Sequence, residues 1–289
     1  MDFGNYTSLI GSMDPRALWF FVGAMGTYYV STVIYALRWK IVLSEMGREI
    51  PLLELLKVTL SSIFINNITP MSRGGGEVLR VAWISKVHDV PVTLSMGSII
   101  YERISEVVPL MLLLAIGLSH FSGHLVASTL LITALVVGLW LKWESTVRFS
   151  LRIFKTHISE EDVDRLVALK KNVPFNLTVV GLSSLVWALD ITRLKLITMA
   201  FKWNPPLELL AVISLANLLF GLLAFTPGGI GIVEGGLVGS MKYFGIDGPL
   251  AVSVALLERF ISYVSSTIVG FVTLVTSGGM KVWRASKSH

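Results

Sequence analysis

The sequence contains no cysteine, which excludes disulfides and thiolate-bound metals. Charge is scarce as well: 15% of the 289 residues are Asp, Glu, Lys or Arg, against roughly 25% in typical soluble domains. With 53% hydrophobic residues and a mean hydropathy of +0.72, that shortage excludes an ordinary water-soluble globule. No Lys or Arg precedes Arg16, and the apolar run after it is longer than a signal-peptide core, so a cleaved leader is not expected. GGGEVLR at 74–80 lacks the Lys-Ser/Thr of a phosphate-gripping loop, so ATP-driven pumping by this chain is not expected. Nor is there a basic-aromatic stripe, and the excess of 24 Lys and Arg over 19 Asp and Glu sits in loops. Nucleic acid is therefore not an expected partner, and no cofactor is expected. His120 and His124 share helical spacing, but no third ligand lies nearby in sequence for a metal.

What the chain has instead is long uncharged runs. Residues 17–37 give 21 in a row, 125–141 give 17, 209–233 give 25 and 260–280 give 21. Each is about the length of a bilayer-spanning helix. Spans are expected at 17–37, 92–118, 125–141, 173–195 and 249–276. The segment 52–69 has an uncharged core of only 15 residues and ends in Thr-Pro followed by glycines, which suits a re-entrant half-helix. Segment 207–226 either repeats that half-helix or spans outright. Within the polar loop 142–172, Ser159-x-x-Asp162 reads as a capping box opening an amphipathic helix. Trp19, Trp39, Trp140, Trp143, Trp187 and Trp203 fall near the ends of expected spans, where interface anchors sit.

The second half repeats the first. TPMSRGGGE at 69–77 matches TPGGIGIVE at 226–234, with Pro70 to Glu77 and Pro227 to Glu234 both seven apart. Glu102-Arg103 recurs as Glu258-Arg259, at 33 and 32 residues from the proline to the arginine. Arg38-x-Lys40 recurs as Arg193-x-Lys195, and PLLELLKV at 51–58 as PLELLAV at 206–212. An ordered set of landmarks indicates an internal duplication. With re-entrant Thr-Pro segments, an odd number of crossings separates the copies, so they are inverted across the membrane. The expected architecture is an all-α integral membrane protein, one membrane domain over 1–289. It is an inverted-repeat helical bundle with two re-entrant hairpins, a first repeat at 36–118, a linking span and cytoplasmic loop at 119–172, and a second repeat at 190–276. The basic loop 142–172 and tail place the carboxyl end in the cytoplasm and the amino end outside.

These landmarks resemble the membrane region of lysylphosphatidylglycerol synthases and the related flippase-like integral membrane proteins. The resemblance is carried by Arg38-Trp39, NNITPMSRGGGEVLR at 66–80, Tyr101-Glu102-Arg103, FTPGGIGIVEG at 225–235 and Leu257-Glu258-Arg259, and spans about 36–276. It implies movement of a charged or phosphate-bearing lipid between leaflets of the cell membrane, coupled in larger relatives to a soluble aminoacyl transferase. No polar stretch here has the length of such a domain, so the transport part alone is expected, with membrane lipids and a separate transferase as partners.

Glu77, Arg103, Glu234 and Arg259 carry the most weight, because unpaired charge at the bilayer centre costs about 3 kcal/mol per group on insertion scales. The repeat offers Glu77 to Arg103 and Glu234 to Arg259 as equivalent pairs. They either clamp each hairpin to the helix behind it or line a polar cavity where Arg grips a phosphate. Glu102, Glu258, Arg73, Thr69 and Thr226 join the candidate substrate-binding set, as do Asn66 and Asn67, which alternatively cap the backbone locally. Pro70, Gly74, Gly75, Gly76, Pro227, Gly228, Gly229 and Gly231 are candidate re-entrant turn residues, with close helix packing as the other use of the glycines. Asp190 and Arg193, three apart at a span end, read as an interfacial ion pair. The rival functions are a membrane-embedded transferase using Glu77 or Glu234 as general base, and a scaffold for a separate transferase.

Overall fold

A computed structural model describes residues 14–69, 74–117, 131, 134–135, 138–153 and 159–280. Among these residues every regular element is helical. The helices are α1 Ala17–Glu45, α2 Leu52–Ile68, α3 Gly74–Val87, α4 Val92–Ser105, α5 Val107–Gly117, α6 Trp143–Ile153 and α7 Glu160–Ala168. There follow α8 Val173–Ala200, α9 Leu207–Leu223, α10 Ile232–Tyr243, α11 Gly248–Arg259 and α12 Ser266–Thr276. The protein is an all-α membrane protein: α1, α8 and the continuous segment Gly248–Thr276 are each long and apolar enough to cross a bilayer. Their outer faces stay apolar, with Leu18, Val22 and Val30 of α1 and Ile268, Phe271 and Val272 of α12 exposed. Such faces need lipid rather than water.

Local chemistry sets the boundaries. Pro51, Pro91 and Pro206 precede α2, α4 and α9, where a missing N–H costs nothing. Asn172 caps α8, its side chain accepting from the Phe175 amide at 3.2 Å. Ser159 precedes α7 as expected but makes no side-chain cap bond. The polar stretch 142–172 holds a further helix, α6, ahead of it.

Three expectations are corrected. The helix of the first expected span does not end at residue 37: α1 runs on to Glu45, with Arg38 neutralised inside the protein by Glu102 and Glu106. The segment 92–118 is not one straight helix. It divides at Glu106, where Pro109 has no N–H to return to the Ser105 carbonyl. Trp39 and Trp143 are not interface anchors but fully buried; Trp39 donates to Ser98 at 3.0 Å and Trp143 to the Leu166 carbonyl at 2.7 Å. The expected span at 125–141 lies mostly outside the described residues, as do His120 and His124.

Helix order recurs in the two halves. In each, a long helix (α1, α8) is followed by a 17-residue helix (α2, α9) that packs against a shorter one (α3, α10), forming a helical hairpin. The segment after that runs to a distortion just beyond the Glu-Arg pair, the bend at Glu106 or the π-helical turn Phe260–Ser265. The last helix of each half then crosses over: α12 packs on α2, and α5 packs on α9. Accordingly Leu274 belongs to the first apolar core, with Trp39, Leu55 and Leu79, while Leu113 belongs to the second, with Ile197, Leu210 and Leu237.

Gly270 lets α12 approach α2 closely. A Cβ there would lie 2.5 Å from the Leu60 carbonyl oxygen and 2.8 Å from the Phe64 Cβ, neither of which can yield without moving α2. Gly270→Ala is expected to lower stability by about 1–3 kcal/mol through overpacking, read as the unfolding midpoint in detergent. Gly239→Ala, where the new Cβ would meet nothing within 4 Å, serves as the control. Equal midpoints for the two variants would rule out close packing at Gly270.

Candidate functional site

Between the two apolar cores lies a polar cavity of about 330 Å³. Both halves line it: Asn66, Asn67, Glu77, Arg80, Arg103 and Glu106 from the first, Asp190, Arg193, Asn217, Gly228, Glu258 and Arg259 from the second.

In the first half the charges close into a ring. Arg38 donates to Glu102 at 3.2 Å, to Glu106 at 2.8 Å and to the Ser183 hydroxyl at 2.8 Å. Arg80 bridges Glu102 at 2.5 Å and Glu77 at 3.1 Å, and Arg103 bridges Glu77 and, at 3.1 Å, Glu106. Each of the three arginines thus meets two carboxylates and each carboxylate two arginines, leaving the ring neutral. Arg38 and Glu102 are both 1% exposed, and Trp39 lies flat against Arg80 at 4.0 Å, so the ring is largely dry at its base. Arg103 is its open member, 40% exposed.

The second half is built to the same plan. Arg193 donates to Asp190 at 2.5 Å and to Glu258 at 3.2 Å. Arg259 donates from Nε to Glu234 at 2.7 Å and from Nη2 to the Gly228 carbonyl at 2.6 Å. The turn Pro227–Gly229 that presents this carbonyl is held by Gly228 at φ 59°. A Cβ there would strike Tyr263 at 2.1 Å and the Asn67 carbonyl oxygen at 2.8 Å. The second hairpin's bend therefore sits directly on the end of the first hairpin's α2.

Other candidates fall at varied places. Asn67 spans the crossing, donating to Ser266 at 3.0 Å and Thr267 at 2.8 Å, and Asn66 accepts from the Gly76 amide at 2.8 Å; both also face the cavity. Glu102 lies behind the cavity wall, and Glu234 reaches the site through Arg259 and accepts from the Gly231 amide at 2.7 Å. Thr69 and Thr226 are engaged within their own segments, with the Ile65 and Ile230 carbonyls. Gly74, Gly75 and Gly76 form the first turn of α3 rather than the bend, and a Cβ on Gly76 would lie 2.4 Å from the Ser62 carbonyl oxygen. Pro70 and Arg73 lie outside the described residues. Asp190 and Arg193 form the expected ion pair, but α8 continues to Ala200 and the pair lines the cavity. Among the described residues no group of three His, Asp or Glu side chains is placed to hold a metal ion.

Sequence reasoning missed Arg38, Arg80, Glu106, Asp190 and Arg193 as members of one site. A signal for two of them was present. Arg38 and Arg193 recur as landmarks, Glu102 and Glu258 recur as landmarks, and in the structure they pair as Arg38–Glu102 and Arg193–Glu258.

Comparison with known proteins finds relatives among membrane proteins. UPF0104 membrane protein MJ1595 of Methanocaldococcus jannaschii is 27% identical over 84% of this chain and 80% of its own length. A UPF0104 membrane protein of Methanothermobacter thermautotrophicus is 23% identical over 96% and 88%, and PH1989 of Pyrococcus horikoshii 24% identical over 89% and 86%. No solved structure matches the chain. Residues 1–270 match the family described as the lysylphosphatidylglycerol synthase TM region, so the chain belongs to that family of membrane proteins.

Proposed function

We propose that the protein translocates a phosphate-bearing lipid between membrane leaflets, its headgroup passing through the cavity between the two hairpins while its chains stay in the bilayer. The observation that carries this reading is the cavity itself: four arginines and four carboxylates face one another across it, within a molecule whose outer faces are apolar. An intramembrane cavity lined with charge is a substrate path by default, and arginines already held by carboxylates can exchange them for phosphate oxygens with the same fork geometry. Arg103 and Arg259 are the phosphate contacts, one per half-site. The hairpins are re-entrant from opposite faces, and the two halves are inverted copies that open alternately. Membrane lipids are thus the partners, with a separate transferase supplying or using the lipid.

The transferase reading is less favoured. Glu77 accepts from both Arg80 and Arg103, and Glu234 from Arg259 and the Gly231 amide, so neither is poised to take a proton from a substrate.

Purified protein reconstituted in liposomes with fluorescent anionic, cationic or polyprenyl-phosphate lipids should exchange one phosphate-bearing class between leaflets faster than empty liposomes. Failure with every class removes the proposal. Orientation is tested separately, the native chain having no cysteine. Single Cys replacements at Ser8, Ser159 and Ser286, treated in intact cells with an impermeant maleimide, should label only at Ser8. Labelling at Ser159 would reverse the topology.

A further inference from the structure

The two half-sites differ in charge. Glu77, Arg103 and Arg38 of the first ring have Arg80, Glu106 and Tyr35 at +3, +3 and −3; the same offsets from Glu234, Arg259 and Arg193 give Leu237, Ser262 and Asp190. The first ring has three arginines and three carboxylates, whereas the second site has Arg193 and Arg259 against Asp190, Glu234 and Glu258. One negative charge is left over.

Geometry locates it. Asp190 Oδ1 and Glu258 Oε1 both accept from the same nitrogen, Nη2 of Arg193, at 2.5 and 3.2 Å. Arg193 Nε is buried with no hydrogen-bond partner, and Arg259 is taken by Glu234 and the Gly228 carbonyl. Asp190 has the shorter bond and accepts also from Ser214 at 2.5 Å, so Glu258, 3% exposed, is the carboxylate lacking a countercharge. Its Oε2 lies 3.2 Å from the Ser262 hydroxyl, which can accept a hydrogen bond.

We propose, resting on the translocation reading, that transport is proton-coupled and that Glu258 is the carrier. It is protonated on Oε2 and donating to Ser262 while Asp190 holds Arg193, and ionised when Arg193 leaves Asp190 for it. Protonation makes the second site neutral, like the first. Of the nearby cations, Arg259 is engaged by Glu234 of α10 and the Gly228 carbonyl, Lys195 of α8 donates to the Pro205 carbonyl at 2.7 Å, and Lys242 is exposed in the last turn of α10. From α1 come Tyr28, its ring 5.5 Å from the Arg193 guanidinium, and Tyr35 and Arg38 of the other ring. Helix α9 brings Ser214 and Asn217, the latter donating to Glu258 at 3.3 Å. The π-helical turn brings Ser262 and Tyr263, the latter under Arg259. Helix α5 has no titratable residue, α4 contributes Glu102 and Arg103, already paired in the first ring, and the Lys170 ammonium donates to the Leu141 carbonyl at 2.9 Å.

Two measurements test the coupling. Infrared spectra of the protein in lipid at neutral pH should show a protonated-carboxyl band that Glu258→Gln removes. Asp190→Asn should remove it too, because Glu258 then takes Arg193 alone. Absence of the band, or its survival in either variant, overturns the proposal. In liposomes carrying a labelled anionic phospholipid and a trapped pH dye, a gradient of about one pH unit biases a one-proton cycle about tenfold. It should speed net lipid movement severalfold, with dye-reported proton flux. Exchange indifferent to that gradient, or driven by a sodium gradient instead, overturns the coupling and leaves translocation standing. No exchange under any gradient overturns translocation, and the coupling with it.

Discussion

Arg103→Lys is expected to lower lipid exchange by about tenfold or more while the protein remains folded. The charge is kept, but the planar fork is lost. In the resting site that fork spans Glu77 and Glu106, and during transport it would place two N–H groups on one phosphate. A hydrogen bond to a charged group is worth about 1.5–3 kcal/mol, and each 1.4 kcal/mol is about tenfold in rate or affinity. Arg259→Lys should behave alike, since a single ammonium cannot reach both Glu234 and the Gly228 carbonyl in the way Nε and Nη2 do. Glu77→Gln should act in the opposite sense, freeing Arg103 to hold the lipid longer and so slowing turnover with tighter binding. Exchange rates in liposomes, with gel filtration to report folding, check all three. Normal exchange in both Lys variants, or misfolding of both, would make the arginines structural clamps.

The largest stability effect is expected at the base of the ring. Arg38→Met removes the partner shared by Glu102 and Glu106 and leaves two carboxylates facing each other away from water. Breaking a buried ion pair from one side costs about 3–5 kcal/mol, because the surviving charge stays desolvated. The double variant Arg38→Met with Glu106→Gln should recover part of that loss, since it restores neutrality. Unfolding midpoints in mixed micelles measure both. A midpoint for Arg38→Met equal to that of the unaltered protein would mean the ring contributes nothing to the fold.

Helix positions were legible from uncharged runs and prolines, and the pairs Glu77–Arg103 and Glu234–Arg259 from the repeat, because both depend on local pattern and spacing. What was not legible was depth. A basic residue at the end of an apolar run marks the end of a span where its charge is unpaired. Arg38 is instead neutralised by Glu102, 64 residues away, and Arg193 is held by Asp190 and bonded to Glu258, 65 residues away, so their helices continue past them. Trp39 and Trp143 were misplaced for the same reason. Indole donors were expected at the lipid headgroups but find Ser98 and the Leu166 carbonyl inside.

The crossing of α12 onto α2 has a consequence for synthesis. Asn67 finds its partners Ser266 and Thr267 some 199 and 200 residues later in the chain. At about 5–20 residues per second on the ribosome, the carboxyl-terminal helix emerges roughly 10–40 s after the first hairpin. Throughout that interval the nascent first half holds an open amide and an uncovered Leu60–Phe64 face, so it depends on the insertion machinery or on lipid for cover. Closure of the first hairpin therefore waits on α12.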